Sequence, residues 1–139
     1  LILSLSLNPS NCRQVNISGS RMATSPFGSG IALDHCTGVV VSDCEVARNA
    51  WYGILVSESN NISINKNLIE ANDRSGILLE FLYQGNSGIK IDGNLIHYNN
   101  GFGVESYAST RLVSRNTYAG NGNLSQQEKI SAEKILIMQ

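Results

Sequence analysis

Gly53-Ile54-Leu55-Val56, then Ile62-Ser63-Ile64, then Asn67, Ile69 and Asn72: the reading of this stretch decides the fold. It recurs along the chain. Gly30-Ile31-Ala32-Leu33, Gly76-Ile77-Leu78-Leu79 and Gly103-Val104-Glu105-Ser106 open in the same way, with the four glycines 23, 23 and 27 residues apart. Val39-Val40-Val41 follows Gly30 as Ile62-Ser63-Ile64 follows Gly53, while Ile89-Lys90-Ile91 arrives four residues late. Next comes one small or polar residue (Cys44, Asn67, Asn94), then Val46, Ile69 or Ile96, then Asn49, Asn72 or Asn99. Weaker copies flank these, with Val15, Ile17, Ser20 and Met22 before, and Val113, Asn116, Tyr118 and Asn121 after.

The apolar residues within each segment stand two apart, which is the strand period, because successive side chains point to opposite faces. Three strands and three turns in about 23 residues leave no room for an antiparallel meander. Each strand must pair with its own copy one repeat away, which makes parallel sheets and a solenoid. Equivalent residues then stack at roughly 4.8 Å per coil. The reading is an all-β parallel β-helix of about five coils, three short strands per coil. Ile54, Ile77, Ile62, Ile64, Ile89 and Ile91 are expected to point inward.

The pattern G-I-x-L, then V/I-x-V/I-x-x-N-x-I-x-x-N, resembles the right-handed parallel β-helix repeats of the pectin-lyase-like superfamily, over roughly residues 12 to 123. The resemblance implies a right-handed solenoid. It says little about function, since that superfamily holds lyases, hydrolases, epimerases, phage tail spikes and non-enzymatic surface proteins.

The composition agrees with one domain: 139 residues, 42% hydrophobic and only 15% charged. Sixteen asparagines and 13 glycines against two prolines suit tight turns. Asn67, Asn94 and Asn116 should form one stacked ladder, and Asn49, Asn72, Asn99 and Asn121 another. Leu3, Leu5 and Leu7 alternate with serines, so the chain is expected to begin inside a coil of a longer solenoid. Residues 1–123 read as coils and 124–139 as a C-terminal cap. In that cap Ser125-Gln126-Gln127-Glu128 fits a helix-capping box, running toward Lys134. Ile135-Leu136-Ile137-Met138 reads as a final strand.

A net charge of −1 with no basic stripe argues against nucleic-acid binding. No apolar run approaches the roughly 20 residues of a membrane helix. Cys12 and Cys36 share an offset from Val15 and Val39, so they should be neighbours in adjacent coils, as reduced thiols or, in the alternative, as a Cys12–Cys36 bridge. Cys44 takes a corner that asparagine holds elsewhere. No Cys/His spacing suits a metal and no motif calls for a cofactor.

In enzymes of the resembled superfamily the groove lies along the outer face of the first strand. Outward residues on the glycine-led strands are Ala32 and Asp34, Leu55 and Ser57, Leu78 and Glu80, Glu105 and Tyr107, with His35, Glu58 and Phe81 next. Asp34 and Glu80 share a column two coils apart, roughly 9.6 Å, a separation compatible with paired carboxylates acting on a glycosidic bond. Asp34, Glu80 and His35 are the catalytic candidates. The four-residue insertion Phe81-Leu82-Tyr83-Gln84-Gly85 is either a tolerated loop or a substrate wall. Tyr83, Phe81, Arg74, Glu105 and Tyr107 are the substrate-binding candidates. The strand carries no outward Arg or Lys of the kind a pectate-lyase-type elimination uses. A second cluster, Glu70 and His97 near Arg48 and Tyr98, reads as an acid–base pair or a surface ion pair.

Two functions follow. The first is binding or processing of a polysaccharide, as a lyase, hydrolase or epimerase, in an extracellular or cell- or virion-surface protein. The second is a structural module, such as a tail-spike shaft or adhesin stalk, associating with itself through outward Leu55 and Leu78 or through open coil ends. The sequence leaves open whether the chain is an enzyme.

Overall fold

A computed structural model describes residues 2–3, 10–107, 111–122 and 135–137. The glycine-led strands are β4 (Ile31–Asp34), β7 (Ile54–Ser57), β10 (Ile77–Glu80) and β13 (Val104–Ser106). The second strands are β2 (Asn16–Ser18), β5 (Thr37–Ser42), β8 (Asn60–Asn65), β11 (Ser87–Asp92) and β14 (Arg111–Ser114). The third strands are β1 (Ile2–Leu3), β3 (Arg21–Ala23), β6 (Glu45–Ala47), β9 (Leu68–Glu70), β12 (Leu95–His97) and β15 (Thr117–Ala119). They form three sheets in which each strand pairs in parallel with its copy in the next coil. Among the described residues there are four complete coils, preceded by a partial one that holds β2 and β3. The expected five are reached when the partial coil is counted.

The register follows the inward residues. Ile31, Ile54, Ile77 and Val104 stack in one column, and Val39, Ile62 and Ile89 in another. Val41, Ile64 and Ile91 make a third, and Met22, Val46, Ile69 and Ile96 a fourth. All are at most 1% exposed. A slip of one residue would turn each of these side chains to the solvent face, so the apolar period pins the register.

The corners satisfy the backbone that the strands leave unpaired. Asn72 Oδ1 accepts from the backbone N–H of Asn49 (3.1 Å) and from its Nδ2 (2.9 Å), while Asn72 Nδ2 donates to Val46 O and to Asn99 Oδ1. Asn99 and Asn121 repeat the arrangement, as do Asn67, Asn94 and Asn116 at the preceding corner. All of these amides but the half-buried Asn116 are buried, and a buried polar group without a partner is costly, so the ladder is what makes asparagine acceptable there. Cys44 ends the first ladder, with its N–H donating to Asn67 Oδ1 at 3.0 Å.

The leading glycines answer to the same ladders. A Cβ on Gly76 would lie 2.7 Å from Ile96 Cγ2, 2.8 Å from Gly103 O and 2.9 Å from Asn99 Nδ2. The glycine column is thus a close approach of the first strand to the asparagine corner, which only a residue without Cβ permits.

Three features of the ends concern the sequence expectations. β16 (Ile135–Ile137) is the expected final strand, and it pairs antiparallel with β13, covering that sheet edge. The capping-box segment, Leu5, Leu7 and Met138 lie outside the described residues. The Arg13–Thr37 bridge and the hydrogen bond from Thr37 N to Cys12 O set Cys12 and Cys36 side by side in adjacent coils, and the two are not disulfide-bonded. Burial, helped by the neighbouring Cys36, pushes the Cys12 thiol up to about 11.

Candidate functional site

The first-strand face has a floor and two walls. Its floor follows from the register: Ala32, Leu55, Leu78 and Glu105 form one outward column, and Asp34, Ser57 and Glu80 the next. Asp34 is exposed and its Oδ1 lies 2.8 Å from Nδ1 of His35. Glu80 is half-buried two coils away, on the same column, as expected. Between them the Ser57 hydroxyl is buried and has no hydrogen-bond partner among the described residues. Leu78 faces outward yet is only 5% exposed, and β10 is buried on both faces over its first three residues. Leu55 and Leu78 thus face outward as expected, but Leu78 offers almost no surface to a neighbouring chain and Leu55 is half-buried.

One wall is the turn after the strand. His35 and Glu58 adopt left-handed backbone conformations in successive coils, with φ of 52° and 47°. The residue matching them in the next coil is Gly85, at φ 77°, and not Phe81. Phe81, Leu82, Tyr83 and Gln84 are therefore the inserted residues. Their backbone closes on a single side chain. Glu58 Oε1 accepts from the N–H groups of Leu82 (2.9 Å) and Tyr83 (2.8 Å), and Oε2 from those of Gln84 (2.8 Å) and Gly85 (3.1 Å). The Tyr83 N–H, with those of Gln84, Leu82 and Gly85, holds the Glu58 carboxyl down to about 2 against the opposing effect of burial. Phe81 lies over Gly85, where an added Cβ would come within 2.4 Å of its ring. Tyr83 is 84% exposed, and Phe81 and Leu82 are also exposed.

The other wall is the turn before the strand. Backbone hydrogen bonds from Trp51 N to Gly28 O and from Arg74 N to Trp51 O align these residues in successive coils. The Arg74 guanidinium sits 5.5 Å from the Trp51 ring centre and 5.6 Å from that of Tyr52. Arg74 makes no ion pair with a carboxylate among the described residues, so its charge rests on the two rings. Phe27, on the turn one coil earlier, is exposed. Toward the floor, Glu105 accepts hydrogen bonds from Ser75 Oγ and from Tyr107 Oη, each at 2.7 Å. Burial, then the Glu105 carboxylate, pushes the Tyr107 phenol up to about 12.

The fold thus brings Asp34, Glu80, Glu105 and Tyr107 onto one face, with Tyr83 and Phe81 on one wall and Arg74 on the other. Trp51 and Tyr52 were missed by the sequence reading. The signal was available: they precede Gly53 at the positions where Arg74 and Ser75 precede Gly76. The second cluster is a close pair on the third sheet. His97 Nε2 lies 2.9 Å from Glu70 Oε2, out of line for a hydrogen bond, with the Tyr98 ring 4.7 Å away. No group of described residues has the make-up of a metal site, and no described helix is long and apolar enough to cross a membrane.

A family model described as right handed beta helix region matches residues 7–131. The chain belongs to the right-handed β-helix family. The superfamily of pectin-lyase-like β-helices is consistent with the three parallel sheets and the asparagine corners. Comparison with curated proteins and with solved structures gave no match. Membership in this β-helix family fixes the architecture and assigns no ligand or activity.

Proposed function

We propose that this β-helix domain binds a polysaccharide along the outer face of the first sheet, outside the cell or on a cell or virion surface. The observation that carries the reading is the Glu58 clasp. A tolerated insertion needs no anchor, whereas here four backbone N–H groups are tied to one carboxylate while the Tyr83 ring is left in solvent. Aromatic rings offer apolar faces to the C–H faces of sugars, and Trp51 stands on the opposite wall. Arg74 suits an acidic or hydroxylated sugar. The unpartnered Ser57 hydroxyl between Asp34 and Glu80 suits a ligand hydroxyl. If the site also cleaves, Asp34 and Glu80 are the carboxylates to test, with His35 acting on Asp34.

The experiment is a polysaccharide panel read by binding and by release of reducing or unsaturated ends. Tyr83→Ala and Trp51→Ala should each weaken binding by about fivefold to tenfold, and Glu80→Ala should lower any turnover. Unchanged binding and turnover in all three folded variants would sink this reading and leave the structural-module reading in its place.

A further inference from the structure

The outer face of the second sheet carries a recess of about 460 Å³, lined by Ser63, Asn65, Lys66, Lys90, Gly93 and the Asp92–Arg115 pair. The register explains how it forms. Ser63 pairs with Lys90 and Asn65 with Asp92 across β8 and β11. The next corner position is Lys66, Gly93 and Arg115 in three successive coils, all left-handed, with φ of 54°, 67° and 51°. A Cβ on Gly93 would meet nothing within 4 Å. Two cationic side chains, two coils or roughly 9.6 Å apart at the backbone, therefore flank a position with no side chain, and Lys90 projects beside it.

The charges do not cancel within the recess. Asp92 is engaged by both Nε and Nη2 of Arg115 and by Ser114 Oγ at 2.8 Å. Lys66 and Lys90 make no ion pair among the described residues. The exposed Asp43 one coil before Lys66 is the other acid on this corner. Three cations against one internal anion, on a chain of net charge −1, is a local excess that favours an anion. Arg115 commits its Nε and Nη2 fork to Asp92, so the cations not tied to a carboxylate are the two point-charge ammonium groups of Lys66 and Lys90. Asn65 Nδ2 donates to Ser63 Oγ at 3.1 Å, which leaves the Ser63 proton to donate elsewhere.

We propose that this recess binds a tetrahedral oxyanion, a sulfate or phosphate group, between Lys66 and Lys90 over Gly93, with Ser63 as a further donor. The group is either the free ion or an ester carried on a glycan. The site is independent of the first-strand groove.

The test is an amide-resolved titration of the chain at constant ionic strength with inorganic sulfate, inorganic phosphate and chloride. A sulfated oligosaccharide and its desulfated form are titrated in parallel. Saturable shifts at Lys66 and Gly93 are expected with sulfate or phosphate and not with chloride. Lys66→Gln and Lys90→Gln should each weaken binding by about tenfold, and the double variant should abolish it. Arg13→Gln, which removes one charge elsewhere, should leave it unchanged. Tighter binding of the sulfated oligosaccharide than of free sulfate, with the desulfated form silent, assigns the ester; equal affinity assigns the free ion. Linear shifts without saturation, an equal response to chloride, or unchanged affinity in the double lysine variant would overturn the proposal.

Discussion

The second and third corners of each coil differ from the first. Past Cys44, the former are built from one residue type: Asn67, Asn94 and Asn116 at the second, Asn49, Asn72, Asn99 and Asn121 at the third, each amide passing hydrogen bonds to the next. The first corner sets unlike residues, Cys36, Ser59 and Asn86, at the equivalent position, and Ser59 and Asn86 supply the acceptors. Ser59 Oγ accepts from Cys36 N at 3.0 Å, and Asn86 Oδ1 accepts from Ser59 N at 2.9 Å. The physical demand is the same at all three: a buried backbone N–H must find an acceptor where the chain turns. A corner that meets it with identical side chains becomes a continuous ladder and resists insertion. A corner that meets it coil by coil can lengthen in one coil without disturbing the others. That is where Phe81–Gln84 enter, and where the candidate groove acquires its wall.

The largest effect should come from breaking a ladder in its middle. Asn72→Ala takes the acceptor from the buried Asn49 N–H, removes the Nδ2 donor to Val46 O, and leaves Asn49 Nδ2 with Met22 O alone and Asn99 Oδ1 with the residue-72 N–H alone. At about 1–3 kcal/mol per buried group left unpaired, it should lose roughly 3 kcal/mol or more. Ser59→Ala removes a single acceptor, that of Cys36 N, and should lose about 1–3 kcal/mol. Urea unfolding of the two variants decides the matter. Equal losses would mean that the asparagine corners have no special continuity.

A smaller and local effect should follow from the Glu58 clasp. Its carboxyl titrates lower in the folded chain than the ordinary 4.5, at about 2. Its contribution is therefore complete above the unfolded value and fades as pH falls from about 4.5 toward 2. The protection of the Leu82, Tyr83, Gln84 and Gly85 amides against hydrogen exchange, relative to their intrinsic rates, should fall over that window. Glu58→Gln, with one carbonyl oxygen in place of two carboxylate oxygens, should accelerate their exchange by about tenfold at neutral pH while the coil amides stay protected. Unchanged exchange in the variant would remove the clasp as the reason the loop is fixed.

The smallest effect should be a gain. Cys44 stands in the asparagine column, with its sulfur facing the N–H of Ser20. Cys44→Asn should extend the ladder by one step and raise stability by about 0.5–1.5 kcal/mol in the same urea assay. A loss would show that the partial first coil is too different from the others to take the ladder.

Much of this architecture was legible because a solenoid repeats its environment. The glycines at 30, 53, 76 and 103 and the apolar pairs behind them set three strands per coil, the inward residues and both asparagine ladders, with the register that the sheets adopt. The cysteine pair followed from the same offsets. The first corner was harder to read. Cys36, Ser59 and Asn86 share a position without sharing a side chain, so a search for like residues passes over them. The Glu58 clasp lay beyond reach for a different reason. It joins a side chain to backbone N–H groups, which carry no residue identity, across 24 to 27 positions of sequence.

Period and alternation, being local, are written in the sequence, and they determined the parallel β-helix, its coil boundaries and its core. Which side chains converge on the outside was decided only by tertiary structure. Trp51 meets Arg74, Ser57 lies orphaned between Asp34 and Glu80, and Lys66 and Arg115 flank a bare Gly93. The reason is geometric. Stacking coils brings residues more than 20 positions apart to within one strand spacing, and outward side chains obey no apolar period that would announce them.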